Sequence, residues 1–323
     1  MSPKMTSCRE IQPELIASAT GDAGPRETAR VEHHVAACAS CRREMQRYRS
    51  IDRVVGDIRR APIVADRSDT LRGDLEWRLT ELRRRAVTAR VWSSPLGPIL
   101  IARSEQGVVA VEYLDSARGA EASGLLRRSG IDIIEDGTET EPFYQQILEY
   151  LAGDRTRLAW PLDFRLAGSE FQREVLRATA AVPYGAVVSY ARLAREIGRP
   201  TATRAVAQAL RHNPLPLVVP CHRVIGSSGA LTGYAGDKLA LKERLLSLEG
   251  IPVASARERR IVRDTMYVRA DHDREYCVPT CGSISTLPLW RVTLYGSRAY
   301  AEAAGFGPCT SCRPDLNPLH RSA

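Results

Sequence analysis

No apolar run in this 323-residue chain approaches the roughly 20 residues that a bilayer-spanning helix requires. The opening Met1-Ser2-Pro3-Lys4 also leads into no apolar core of the signal-peptide kind. These absences argue against a membrane-embedded or exported protein and imply a soluble, cytoplasmic one with no membrane partner. Cysteine is sparse, eight residues in all, and unevenly placed. In a cytoplasmic chain such clusters read as metal ligands before disulfides. Cys8, Cys38 and Cys41 fall near the N-terminus, and Cys277, Cys281, Cys309 and Cys312 near the C-terminus. Cys221 is left as the one unassigned thiol. The charge is also unevenly spread: the net +8 resolves into +4 over 1–86, −5 over 87–164, +6 over 165–254 and +3 over 255–323. An acidic half beside a basic half suggests that one face meets a polyanion.

The chemistry gathers at Pro220-Cys221-His222-Arg223-Val224. A thiol is a useful nucleophile only as its thiolate, which needs a nearby base or a positive field. The apolar run Leu215 to Val219 reads as a short buried strand that delivers Cys221 to the floor of a pocket. Neighbouring side chains on an extended segment point opposite ways, so His222 reaches the sulfur through a bend or a water.

Periodicity divides the chain into 1–60, a linker helix over 61–87, and segments 88–164, 165–254 and 255–323. In the first, His34, Cys38 and Cys41 lie at offsets of four and seven, which on a helix return to within about 40° of one direction. Cys8 can supply a fourth tetrahedral ligand. Ala61-Pro62 reads as a hinge, and Leu71, Leu75, Leu79 and Leu82 form an amphipathic stripe that packs on the zinc module or offers a surface to a partner. Strands are expected at 89–93, 98–103 and 107–114, and helices near 117–129 and 141–152. Beyond them, 169–181 reads as a helix and 190–212 as helix, turn, helix. In the last of these, Ala202, Ala205 and Ala209 share a small-residue side, which reads either as plain helix-favouring sequence or as a surface that another backbone can approach closely, and Val206 and Leu210 anchor the opposite side. Arg257 to Arg260 reads as a linker. The spacings Cys277-x3-Cys281 and Cys309-x2-Cys312 are those of a four-thiolate zinc site.

From Phe171-Gln172 through Tyr184-Gly185, Ser189-Tyr190, Arg204-Ala205-Val206, Asn213-Pro214, Pro220 to Val224, Gly233 to Gly236 and Glu249-Gly250, the chain resembles the O6-alkylguanine-DNA alkyltransferases. That resemblance, over about 88–254, implies an α/β plus α architecture. A small ribonuclease-H-like lobe would support a helical, winged helix-turn-helix lobe, flanked by two small zinc modules. It implies DNA repair by direct, irreversible transfer of an alkyl group from guanine O6 (or thymine O4) in double-stranded DNA to Cys221, with no diffusible cofactor. The O6 atom of a paired guanine is out of a thiol's reach, so the nucleotide must leave the stack. Arg204 matches the arginine that fills the gap, and Tyr190 the tyrosine that crowds the target phosphate and meets the extruded base. Ala205, Ala209 and Arg211 belong to the same DNA-binding set. Glu249 would hold His222, which draws the cysteine proton through a water, and Asn213 would brace the turn. Val224, Tyr234 and the backbone N–H of Ala235 would contact the base.

The stretch from Pro25 to Arg42 resembles the zinc-binding domain of bacterial anti-sigma factors, which implies zinc on Cys8, His34, Cys38 and Cys41 and a sigma-factor partner. Tyr276-Cys277, Glu302 to Phe306 and Pro308 to Asp315 resemble the metal-binding domain of the bacterial adaptive-response protein Ada. There, four thiolates hold zinc, and the residue matched by Cys277 accepts methyl from phosphotriesters. The rival expectation is an alkylation-responsive regulator whose zinc modules bind a sigma factor or DNA.

Overall fold

The computed structural model describes residues 7–60, 68–115, 123–236, 238–254 and 258–319. The hinge expected at Ala61-Pro62, the first part of the helix expected near 117–129, and Arg257 of the expected linker lie outside them. The chain forms two compact units, Met1–Trp77 and Arg78–Ala323.

The first unit is helical: α1 (Cys8–Thr20), α2 (Pro25–Ala37) and α3 (Ala39–Arg60). Ser7 starts α1 with a reciprocal cap, its Oγ accepting from Glu10 N while Glu10 Oε2 accepts from Ser7 N at 2.9 Å. Pro25 occupies the first turn of α2, where its missing N–H costs nothing. The core is small, made of Ile11, Leu15, Ala19, Val31, Cys41 and Met45. So few apolar contacts make a metal staple a large part of such a module's stability. The linker helix α4 (Ser68–Arg85) forms as expected. Its Leu71, Leu75 and Leu79 are exposed.

In the second unit β1 (Ala86–Ser94), β2 (Gly97–Ser104) and β3 (Gly107–Tyr113) form an antiparallel meander. After α5 (Gly124–Ser129), β4 (Asp132–Glu135) joins β1 in parallel, giving the order β3-β2-β1-β4. Helix α6 (Glu141–Ala152) then buries Ile147 and Tyr150. Helix α7 (Glu170–Ala180), capped by Ser169, turns Gln172, Val175, Leu176 and Thr179 inward at helical spacing. Strand β5 (Ala186–Ser189) leads into α8 (Tyr190–Glu196), and Gly198, at φ +72°, makes the turn before α9 (Thr203–Arg211). Next come β6 (Val224–Ile225) and α10 (Leu239–Leu248). One core cluster runs from Ile99 and Val111 through Val175 and Val206 to Cys221, so the small sheet and the helical lobe share a packed interior.

Two expectations fail here. Leu215 to Val219 is buried but is a turn, not a strand. Leu217 takes the left-handed φ of +73°, and Val219 N donates to Leu215 O at 2.8 Å, a tight local bond that no strand ladder contains. Ala209 does not face outward with Ala205; it is 8% exposed and belongs to the core beside Val206 and Leu210. The exposed side of α9 is Arg204, Ala205, Gln208 and Arg211.

The C-terminal segment contributes β7 (Tyr267–Ala270), β8 (Glu275–Tyr276), β9 (Val292–Tyr295), α11 (Arg298–Ala303) and β10 (Gly307–Pro308). It is not a separate bead after a linker. Strand β9 pairs antiparallel with β5, completing a sheet of order β6-β5-β9-β7. Arg260 and Ile261 bridge back to Ala230 and Val253. Arg192 of α8 pairs with Asp271, and the Arg195 guanidinium lies 3.7 Å from the Trp290 ring centre.

Candidate active site

Cys221 opens a short 3-10 turn, Cys221–Arg223, between the Leu215–Val219 turn and β6. Asn213 fixes that turn: its Nδ2 donates to Val219 O at 2.9 Å and to Cys221 Sγ at 3.2 Å, while its Oδ1 accepts from Leu215 N. Burial pushes the Cys221 thiol up, and the Asn213 bond and the Lys242 charge work against that. Cys221 lines a cavity of about 470 Å³ together with Tyr190, Arg204, Gln208, Arg211, Thr232 and Tyr234. Ala235 lies between the lining residues Tyr234 and Gly236 and holds its turn at φ +42°, whereas the Val224 side chain is buried and is not part of the cavity lining. Arg204 and Arg211 bring positive charge to the mouth, where a polyanion would approach.

Behind the thiol lies a fully buried ionic cluster. His222 Nε2 is 2.7 Å from Glu249 Oε1. Burial alone would raise the Glu249 carboxyl, but the Arg223 guanidinium, together with the hydrogen bond from His222, brings it down to about 2. A carboxylate can only accept, so Nε2 carries the hydrogen and Nδ1 keeps its lone pair. Nδ1 is buried and has no hydrogen-bond partner among the described residues. Burial lowers the His222 imidazole, and Glu249 partly opposes it; the ring is neutral and ready to take a proton.

Four members of the site were not anticipated. Arg223 grips Glu249 through Nε, 2.9 Å from Oε2, and Nη2, 3.0 Å from Oε1, and donates through Nη1 to Val182 O. The Tyr150 hydroxyl, from α6, donates to the same Oε1. Lys242 is wholly buried and donates to the carbonyls of Val224, at 2.6 Å, and Thr232, at 2.9 Å. The Tyr113 hydroxyl, at the end of β3, lies 2.8 Å from that of Tyr234, so the base-pocket tyrosine is itself anchored. Arg223 and Lys242 left a trace in the sequence, one beside the nucleophile and the other three and four residues before Leu245 and Leu246 on an apolar helix face. Tyr150 and Tyr113 left none.

Two groups of metal-ligand type form. Cys8, His34, Cys38 and Cys41 have ligand atoms within 4.8 Å of one another, and so do Cys277, Cys281, Cys309 and Cys312. Two thiolates at ordinary Zn–S lengths on a tetrahedral ion sit about 3.8 Å apart. The Sγ atoms of Cys8 and Cys38 are 3.8 Å apart, so this donor set fits zinc. Cys277 is 5% exposed and is bridged to Val268 of β7 through both backbone groups. Among the described residues no helix is long and apolar enough to cross a membrane.

Comparison with known proteins agrees with this division. The family described as 6-O-methylguanine DNA methyltransferase matches twice, its ribonuclease-like domain over 87–164 and its DNA binding domain over 170–251. The metal binding domain of Ada matches 255–315, and a zinc-finger family matches 8–42. Methylated-DNA–protein-cysteine methyltransferase of Methanosarcina acetivorans is 39% identical over 166 residues, which are 50% of this chain and 96% of that protein. The constitutive enzyme of Bacillus subtilis is 39% identical over 158 residues, 49% of this chain and 92% of that one. A crystal structure of Mycobacterium tuberculosis OGT in complex with DNA is 37% identical and covers 50% of this chain and 92% of that chain, with a TM-score of 0.43.

Proposed function

The chain belongs to the methylated-DNA–protein-cysteine methyltransferase family, and on that premise we propose that Cys221 is the sulfur that receives the alkyl group. The protein is a DNA-repair methyltransferase that moves a methyl or alkyl group from guanine O6 in DNA to one of its own cysteines. The observation carrying the assignment is that Cys221 lines the cavity while the neutral, Glu249-held His222 stands behind it.

His222 Nδ1 takes the thiol proton through a water. The sulfur then attacks the alkyl carbon, forming the C–S bond as the C–O6 bond breaks. The electron pair of that bond goes to guanine, and the proton ends on the base. Charge gathering on the O6/N1 side is stabilised by donors preorganised there, the Ala235 N–H and the Tyr113-anchored Tyr234 hydroxyl. Lys242 fixes the Val224 carbonyl that meets the guanine amino group and lends the sulfur a positive field. Tyr190 and Arg204 at the cavity mouth engage the extruded nucleotide and the gap it leaves. A thioether has no ready leaving route, so each molecule acts once.

Both cysteine-rich groups bind zinc in this reading, Cys8/His34/Cys38/Cys41 and Cys277/Cys281/Cys309/Cys312. The first staples a segment with little core of its own, and the second sits within a larger packed core. The enclosure of Cys277 supports a structural role over methyl acceptance from phosphotriesters. A sigma-factor partner for 1–60 stays outside the proposal, because the match there is to a zinc-finger family.

The test is incubation with duplex DNA carrying O6-methylguanine labelled in the methyl group, followed by digestion and mapping. One methyl on the Cys221 peptide, and none in a Cys221→Ala protein that still binds the duplex, is expected. Label on Cys277 alone would overturn the assignment and point to an alkylation sensor.

A further inference from the structure

We infer that the C-terminal module completes the seat of Glu249, and that Tyr300 and Gly296 are positioning residues for the transfer reaction. The inference rests on the His222–Glu249 pair being the base assembly.

Glu249 lies at the C-terminal end of α10, where a helix has no further turn to hold it. Apart from His222, its carboxylate is held by Arg223, by Tyr150 and by the N–H of Gly185, 3.1 Å from Oε2. Each of these three supports has a neighbour from α11 or from the turn before it, directly or through Tyr184. Gly185 sits at φ +70°, and a Cβ there would lie 2.2 Å from Tyr300 Cδ2, so the tyrosine ring covers the bare face of that glycine. The Gly185 carbonyl accepts from Gly296 N at 2.8 Å. Gly296 in turn is pressed on the residue that follows the glutamate: a Cβ on it would lie 2.6 Å from Gly250 O. The Tyr300 ring meets the Tyr184 ring edge-on, with centres 5.3 Å apart. Tyr184 carries the other two supports, with its ring 5.6 Å from the Arg223 guanidinium and edge-on to Tyr150 at 5.8 Å. Pairing of Tyr295 with Ala186 sets this turn in place.

The physical consequence is exclusion of water. A buried carboxylate–guanidinium pair keeps its strength only while dry and well aligned. Tyr300 covers Gly185 and Tyr184, and none of the three lines the substrate cavity. Its removal admits water to Gly185 and Tyr184 and loosens Glu249 on His222, without touching the DNA-facing residues of α9.

Single-turnover transfer from a labelled O6-methylguanine duplex tests this in the full-length, zinc-loaded protein. With Tyr300→Ala we expect the saturating rate to fall about 10- to 100-fold, the scale of a catalytic group displaced by up to 1 Å. The duplex concentration giving half the maximal rate stays unchanged. Tyr300→Phe, which keeps the ring, restores the rate. The hydrogen-bonded His222 Nε2–H resonance, read by NMR without substrate, is broadened or lost in the alanine variant and retained in the phenylalanine one. If Tyr300→Ala does not fold, Gly296→Ala carries the same expectations, since its added methyl must displace Gly250. Folded variants with the wild-type rate and resonance overturn the inference. If His222→Ala itself transfers at the wild-type rate, the base assembly fails instead, and the inference with it.

Discussion

Replacing Glu249 by glutamine separates the two jobs that the buried cluster performs. The carboxylate accepts from His222, twice from Arg223, from Tyr150 and from Gly185. Glutamine keeps the shape but removes the charge and turns one acceptor into a donor facing Arg223. Leaving a buried guanidinium without its counter-charge costs about 3–5 kcal/mol. The His222 ring meanwhile loses the partner that fixes its tautomer, so Nδ1 is no longer reliably the free base. The expected loss in transfer rate is about 10²-fold, at the lower end of what a positioned acid–base group supplies. The assay pairs urea unfolding with single-turnover transfer at a temperature where the variant is folded. The double variant Glu249→Gln, Arg223→Met distinguishes the effects: removing the orphaned cation recovers part of the stability and none of the rate. A folded Glu249→Gln protein that transfers as fast as wild type refutes the reasoning. So does a double variant whose rate recovers in step with its stability.

Lys242 predicts a pH signature. Burial lowers its ammonium from 10.5 to about 8, so between those values the unfolded chain holds a proton that the folded chain has released. Stability therefore rises with pH across that window, by about 3 kcal/mol. In a Cys221→Ala background, which removes the coupled thiol, Lys242→Met should abolish the rise in urea midpoint; parallel profiles would contradict the assignment. Arg204→Ala should slow transfer from duplex DNA far more than from free O6-alkylguanine base, and equal slowing would show that Arg204 does not assist extrusion.

What could be read from the sequence was local. Pro220 to Val224, the cysteine spacings and the helix-turn-helix around Gly198 each carry their meaning within a few residues; the two ligand groups and the two helices form, while Cys221 and His222 sit on a 3-10 turn and not on the extended segment expected. The run Leu215 to Val219 misled because an apolar stretch without alternation records burial and not backbone shape. Ala209 misled because three alanines at helical spacing look alike, while the burial of Val206 and Leu210 extends onto one of them. Tyr150 and Tyr113 come from the other lobe, and nothing near either of them marks the partner it meets after folding. The pairing of β5 with β9 was equally hidden, since two short strands about a hundred residues apart, one of them between the cysteine pairs of the C-terminal module, announce no common sheet.

Strand β5 lies beside the pocket, with β6 along one side and β9 along the other, and β7 beyond is bridged by the backbone of Cys277. An open strand there would invite a neighbouring copy to pair with it. In the order β6-β5-β9-β7 the strand that leads into Tyr190 lies inside the sheet and leaves the edges to β6 and β7, so it offers a neighbouring copy less free backbone than an edge strand would.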